Sequence, residues 1–195
     1  LTKYKIVFTP FFYIMNEEIV LNLKEYVKNG GILISDARLA VKNEYNGIFS
    51  EPLPGLLTDL FGITINDHDI VEVGDNRRIL GMEGAPIFAR KEILPVAWVE
   101  ALELSDADVL AIHKGTWLDG MPAITMHKYG GGRAIYIGTF FSTELVNLMV
   151  RDFINGGLIK PVANLDDSEV EVARRDGKDF SLLFIINHFD KYKKV

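Results

Sequence analysis

The residues of this 195-residue sequence best suited to chemistry are its 27 acidic side chains, its four histidines and a few hydroxyls beside glycine. Hydrolysis of a glycoside needs two carboxyls about 5 Å or more apart across a sugar site. Glu17, Glu18, Glu44, Glu51, Glu83 and Glu144 are available, but their spacing singles out no pair. His68, His113, His127 and His188 are scattered, without the i, i+4 partner of a zinc site, so no metal is expected. Asp67-His68-Asp69 is the densest cluster and reads as a polar turn or strand end. The chain has no cysteine, which removes thiolate ligands, disulfides and a cysteine nucleophile. No Gly-x-Ser-x-Gly elbow is present for a serine hydrolase. Trp98 and Trp117 have the faces to stack on sugars, although packing in a core or at an interface is the commoner use of tryptophan. Gly138, Thr139 and Ser142 follow a strand and open a helix, where open α/β sheets bind ligands; Ser142 also suits a plain helix cap. Catalytic residues and cofactors are therefore both expected to be none.

The elements that would position these groups follow from apolar periodicity. Tyr4–Thr9 reads as a buried strand, ended by Pro10. Asn16 caps a helix with Glu17 and Glu18 in its first turn, and Asn29-Gly30-Gly31 stops it. Ile32–Ser35 is the next strand, which completes a βαβ unit and predicts a parallel sheet. Residues 36–50 are polar and irregular, and a short helix over Gly55–Phe61 closes at Gly62. Short strands at Asp69–Val73, Ala97–Leu104, Val109–His113 and Ala123–Tyr129 predict an antiparallel insertion. Gly130-Gly131-Gly132 precedes the strand Ala134–Ile137, so it is read as a tight turn and not as a phosphate loop. A helix runs from about Thr143 to Ile154, and Lys160–Asp167 reads as a linker. Glu169–Ala173 and Phe180–Asn187 form a hairpin around Asp176-Gly177. Its apolar strand must pack on the main domain, or it opens a further domain.

Charge narrows the partners. The net charge is −6, and the only dense basic cluster is Lys191, Lys193 and Lys194, so nucleic acid is not an expected partner. No apolar run reaches the roughly 20 residues of a membrane span. The first ten residues lack a signal-peptide pattern, and the expected location is the cytoplasm.

Several stretches resemble one family in order along nearly the whole chain. Tyr4–Pro10 with Phe12-Tyr13, and Gly30 to Ile34, look like the middle domain of family 42 glycoside hydrolases, the β-galactosidases. Val41–Gly62 (VKNEYNGIFSEPLPGLLTDLFG) is similar to that family's VKDE-type loop and Pro-Leu-Pro-Gly-Leu-Leu helix. Tyr129 to Thr139 resembles its later YGKGR…YLGT strand and turn. Val170–Arg175 and Phe184–His188 resemble the opening strands of its small C-terminal domain.

The resemblance implies an α/β, flavodoxin-like trimerisation domain similar to class I glutamine amidotransferases, with a parallel sheet, an antiparallel insertion and a following short β-hairpin. It would occupy residues 1–160, apparently without its first strand-helix-strand. Residues 161–195 would be a linker and the first two strands of a C-terminal β domain. Catalysis by the parent, a retaining β-galactosidase, would belong to a separate (β/α)8 barrel, so no catalytic residue transfers here, and this chain alone is not expected to be an enzyme. The amidotransferase cysteine has no counterpart either. The expected function is thus a non-catalytic trimerisation region, with a small-ligand or carbohydrate-binding module as the alternative. The expected partners are other copies of the chain, as a homotrimer, and the barrel of the same parent. Ile48 and Phe49 are the candidate interface; both side chains folding into their own core is the competing reading. Gly138, Thr139 and Ser142 are the candidate ligand edge.

Overall fold

The computed structural model describes residues 1–163 and 169–190. The residues 164–167 of the expected linker and the cluster Lys191, Lys193 and Lys194 lie outside the described residues. Strand β1 (Ile6–Thr9) leads into helix α1 (Glu17–Lys28) and strand β2 (Ile32–Ser35). Asn16 caps α1 by accepting the Ile19 N–H at 2.9 Å, a contact worth about 1 kcal/mol. Val20, Leu23, Tyr26 and Val27 form the buried stripe of the helix. Burying each of the aliphatic ones contributes about 1.5–3 kcal/mol.

A 3-10 turn (Gly55–Leu57) and helix α2 (Thr58–Phe61) come next, then β3 (Ile63–Ile70), β4 (Arg78–Gly81) and β5 (Glu92–Ile93). Strands β6 (Trp98–Leu104), β7 (Asp108–Lys114), β8 (Pro122–Tyr129) and β9 (Gly132–Ile137) precede helix α3 (Thr143–Asn155). The last pair is β10 (Val170–Asp176) and β11 (Ser181–Asn187).

The main sheet has seven strands in the order β1-β2-β9-β8-β7-β4-β5. Only β1, β2 and β9 are mutually parallel; β8, β7, β4 and β5 extend the same sheet antiparallel. The expected parallel strands and part of the expected antiparallel insertion therefore form one mixed sheet. Strand β9 is the hinge of that change, because the Gly130-Gly131 turn pairs Tyr129 with Gly132 and brings β8 alongside it antiparallel. This confirms the turn reading of the triple glycine. The turn lies under the end of α1, and a Cβ on Gly132 would sit 2.1 Å from the Val27 carbonyl oxygen. Strands β3 and β6 form a separate two-stranded ribbon. The strand expected at 69–73 begins instead at Ile63, directly after the left-handed Gly62, and ends where β6 runs out at Trp98.

The core lies between α1, α2 and the sheet, with Phe61 edge-on to Tyr136 at 5.5 Å between ring centres. The chain divides into two compact units, Leu1–Val150 and Arg151–Val195. In the second unit, β10 and β11 pair antiparallel over seven rungs, and every residue of β11 is exposed. No helix among the described residues is long and apolar enough to cross a membrane.

Candidate functional site

Parallel pairing brings the carboxyl ends of β1, β2 and β9 together. Thr9 and Ser35 end their strands with hydroxyl oxygens 2.5 Å apart. The next residue, Asp36, is buried, and its carboxylate accepts the N–H of Phe11 at 2.5 Å and of Phe141 at 3.0 Å. One carboxylate thus ties together the connections that leave all three parallel strands. Burial raises its pKa, and the two backbone donors oppose that shift.

A second buried carboxylate fastens β6 to this edge. The Glu100 N–H donates to the Gly138 carbonyl at 2.9 Å. Its side chain, 0% exposed, accepts from Tyr136 O–H at 2.7 Å, from the Arg38 N–H at 3.1 Å and from Trp98 Nε1–H at 3.3 Å. Desolvation raises the Glu100 pKa against those three donors and the charge of Arg38. Buried His113 packs beside it: Nε2 lies 3.1 Å from the Glu100 carbonyl, so Nε2 carries the proton and donates it. Desolvation lowers the His113 pKa to about 4.

Outside this knot runs a stack of rings and cations. The His68 ring lies flat on Trp98, with centres 4.3 Å apart and 14° between planes. The Arg38 guanidinium lies 4.7 Å from the Trp98 ring centre and 5.5 Å from that of Tyr13. Arg38 takes φ 66°, a left-handed backbone held by the bond from its N–H to Glu100.

The sequence-selected residues fall in different environments. Gly138 is buried, and a Cβ there would lie 3.0 Å from the Ala123 carbonyl oxygen. The Thr139 hydroxyl accepts the Val96 N–H at 2.9 Å and donates to the Val96 carbonyl at 3.3 Å. Ser142 Oγ accepts the Leu145 N–H at 3.1 Å and so caps α3. The Thr139 and Ser142 side chains are thus committed to backbone partners. Ile48 and Phe49 point apart: Ile48 is 74% exposed, whereas Phe49 packs against the α1–α2 core. Of the Asp67-His68-Asp69 cluster, Asp69 pairs with Arg77 at 2.8 Å and accepts from Trp117 Nε1 at 3.1 Å, and His68 stacks on Trp98. Among the described residues, no group of three or more His, Asp or Glu side chains converges as a metal site. The sequence reading missed Asp36 and Glu100. The signal for Glu100 was an acid set between Val99 and Ala101 in the apolar half of the strand WVEALEL.

The polar groups at this edge of the α/β domain are bonded to one another, while Ile14, Tyr45 and Ile48 stay exposed on the neighbouring segments. Residues 1–159 match the family described as the β-galactosidase trimerisation domain. The chain is 30% identical over 190 residues to the β-galactosidase BgaB of a Geobacillus species, covering 97% of this chain and 27% of that protein. The crystal structure of a β-galactosidase from Rahnella sp. R3 superposes with a TM-score of 0.89 at 22% identity, over 96% of this chain and 28% of that one. One from Bacillus circulans sp. alkalophilus gives 0.88 at 24% identity, over 95% and 27%. The chain belongs to the β-galactosidase trimerisation domain family of glycoside hydrolase family 42. It spans about a quarter of the length of the curated relatives it matches.

Proposed function

We propose that this chain joins three copies of a β-galactosidase whose hydrolysis of β-D-galactosides takes place in a separate (β/α)8 barrel, in the cytoplasm. The match of residues 1–159 to a trimerisation domain carries this reading. The domain runs to residue 160, and its parallel core of β1, β2 and β9 with crossover helix α1 supports a flavodoxin-like, glutamine amidotransferase-like fold. Ile48 belongs to the contact, and Phe49 acts from beneath by fixing the loop. Light scattering on the purified full-length protein tests the reading: a mass of three chains is expected, and a single-chain mass overturns it. The alternative, a small-molecule or carbohydrate site at Gly138, Thr139 and Ser142, has its position at the carboxyl ends of parallel strands in its favour. A titration with galactose and lactose that evolves no heat at millimolar ligand removes it.

A further inference from the structure

The segments after β1 and β2 run side by side in the same direction. Backbone bonds link Ala40 to Phe12, Lys42 to Tyr13 and Met15 to Lys42. Lys42 is bridged to Ile14 on one side and to Ile48 on the other, which builds a short ridge with both isoleucines exposed. On the side where the two segments begin stands the cation–aromatic stack of Tyr13, Arg38 and Trp98. On the side where they continue, Glu17, Glu18, Glu44 and Glu51 line a cavity of about 510 Å³ together with Tyr45 and Phe49. Among the described residues, neither the Arg38 guanidinium nor any of these four carboxylates has an ion-pair partner. One surface therefore carries the Arg38 cation beside two aromatic rings, a ridge in which Lys42 lies between two exposed isoleucines with its Nζ bonded to Asn46 Oδ1, and an acidic cavity.

A three-fold ring is closed by a heterologous contact, in which one patch meets a different patch of the next copy. The two patches must lie on adjacent faces, with the wedge between them at the axis. Resting on the trimer reading above, we infer that the occupant of this acidic cavity is a second copy of the chain. The Arg38 side of one copy faces the Glu44 and Glu51 side of the next, and the three Ile48 side chains surround the axis. Charge complementarity selects this pairing, because either patch against itself would bring like charges together. Arginine and tyrosine in a preordered stack are also the residue types that dominate interface energies. Arg38 loses little freedom on binding, since Trp98 and Tyr13 already hold it.

Charge reversal in the full-length protein tests the inference, with mass read by light scattering across a dilution series and folding read by circular dichroism. R38E and, separately, E44R/E51R are each expected to weaken association by about tenfold or more. The combined R38E/E44R/E51R protein should recover most of that loss. Glu44 and Glu51 are exposed, so E44R/E51R decides the matter even where R38E disturbs the fold. Trimers of unchanged affinity in E44R/E51R overturn the inference and leave the trimer reading standing. Retained trimers with a lowered unfolding temperature assign this surface to another part of the same chain, and they overturn it too. A wild-type mass of one chain overturns both.

Discussion

Glu100 and His113 share one buried site and pull stability in opposite directions with pH. The unfolded chain protonates His113 near 6.5 and the folded chain only near 4. Acid between those values therefore favours unfolding, by up to about 3 kcal/mol at 1.36 kcal/mol per unit. Asp36 and Glu100 have raised folded pKa values, so each takes its proton first in the folded state, and acidification through those values favours folding. Urea midpoints measured from pH 6.5 to 4 separate the contributions. His113→Gln keeps a donor toward the Glu100 carbonyl but has no imidazole, so its stability should gain on the wild type as pH falls; parallel curves would refute the His113 assignment. Glu100 itself matters as an acceptor more than as a charge. Glu100→Ala strands three buried donors and should cost about 3 kcal/mol or more, whereas Glu100→Gln stays within about 1 kcal/mol. Equal losses in the two variants would show that the charge is what counts. Sequence reading did not reach this site, because its partners Arg38, Glu100 and Tyr136 are distant in the chain and meet only through the sheet order. The positions chosen by local motif, Thr139 and Ser142, lie between β9 and α3, and their hydroxyls are bonded to the backbone of Val96 and Leu145.

Elements were legible where local signals define them and obscure where pairing is remote. Helix α1 carries its own cap, acidic first turn and glycine stop, and the structure keeps all three. Strands β4 and β5 were invisible: four and two residues long, they exist because Arg78–Gly81 pairs with β7, roughly 30 residues onward. That part of the antiparallel insertion would join the parallel strands in one sheet was hidden for a related reason. Periodicity marks a strand as buried, but it does not say which way its neighbour runs. Gly62 shows the opposite case, a single residue whose role could be read in advance. It ends α2 at φ 64°, and its carbonyl accepts the N–H groups of Ser105, Asp106 and Ala107 at 2.9 to 3.2 Å. A Cβ there would stand 2.9 Å from the Ala107 nitrogen. Gly62→Ala should therefore lower stability by about 1–3 kcal/mol through strain in the turn that joins α2 to β3. An unchanged thermal midpoint would mean that the β6–β7 turn yields instead.

At the scale of the whole molecule, a chain of net charge −6 must overcome repulsion between its own copies, so association has to come from short-range fit. In the proposed trimer, the loop 43–49 divides that work between neighbouring residues. Ile48 is exposed across Lys42 from Ile14, and nearby Tyr45 is 86% exposed, while Phe49 turns inward against the α1–α2 core. The inward ring also presses on the next turn, since a Cβ on Gly55 would lie 3.1 Å from Phe49 Cδ2. Two adjacent aspartate substitutions should then behave differently. Ile48→Asp places a carboxylate on an already solvated surface, so the unfolding midpoint and circular dichroism should stay put while the trimer mass falls on dilution. Phe49→Asp places a charge against the core and should lower stability by about 3 kcal/mol or more, with loss of the trimer following loss of the fold. Urea titration and light scattering on the same samples distinguish the two orders of events. Ile48→Asp trimers as robust as the wild type would remove the ridge from the contact. Phe49→Asp protein that folds normally but fails to assemble would move the contact inward, to the face that Phe49 now covers.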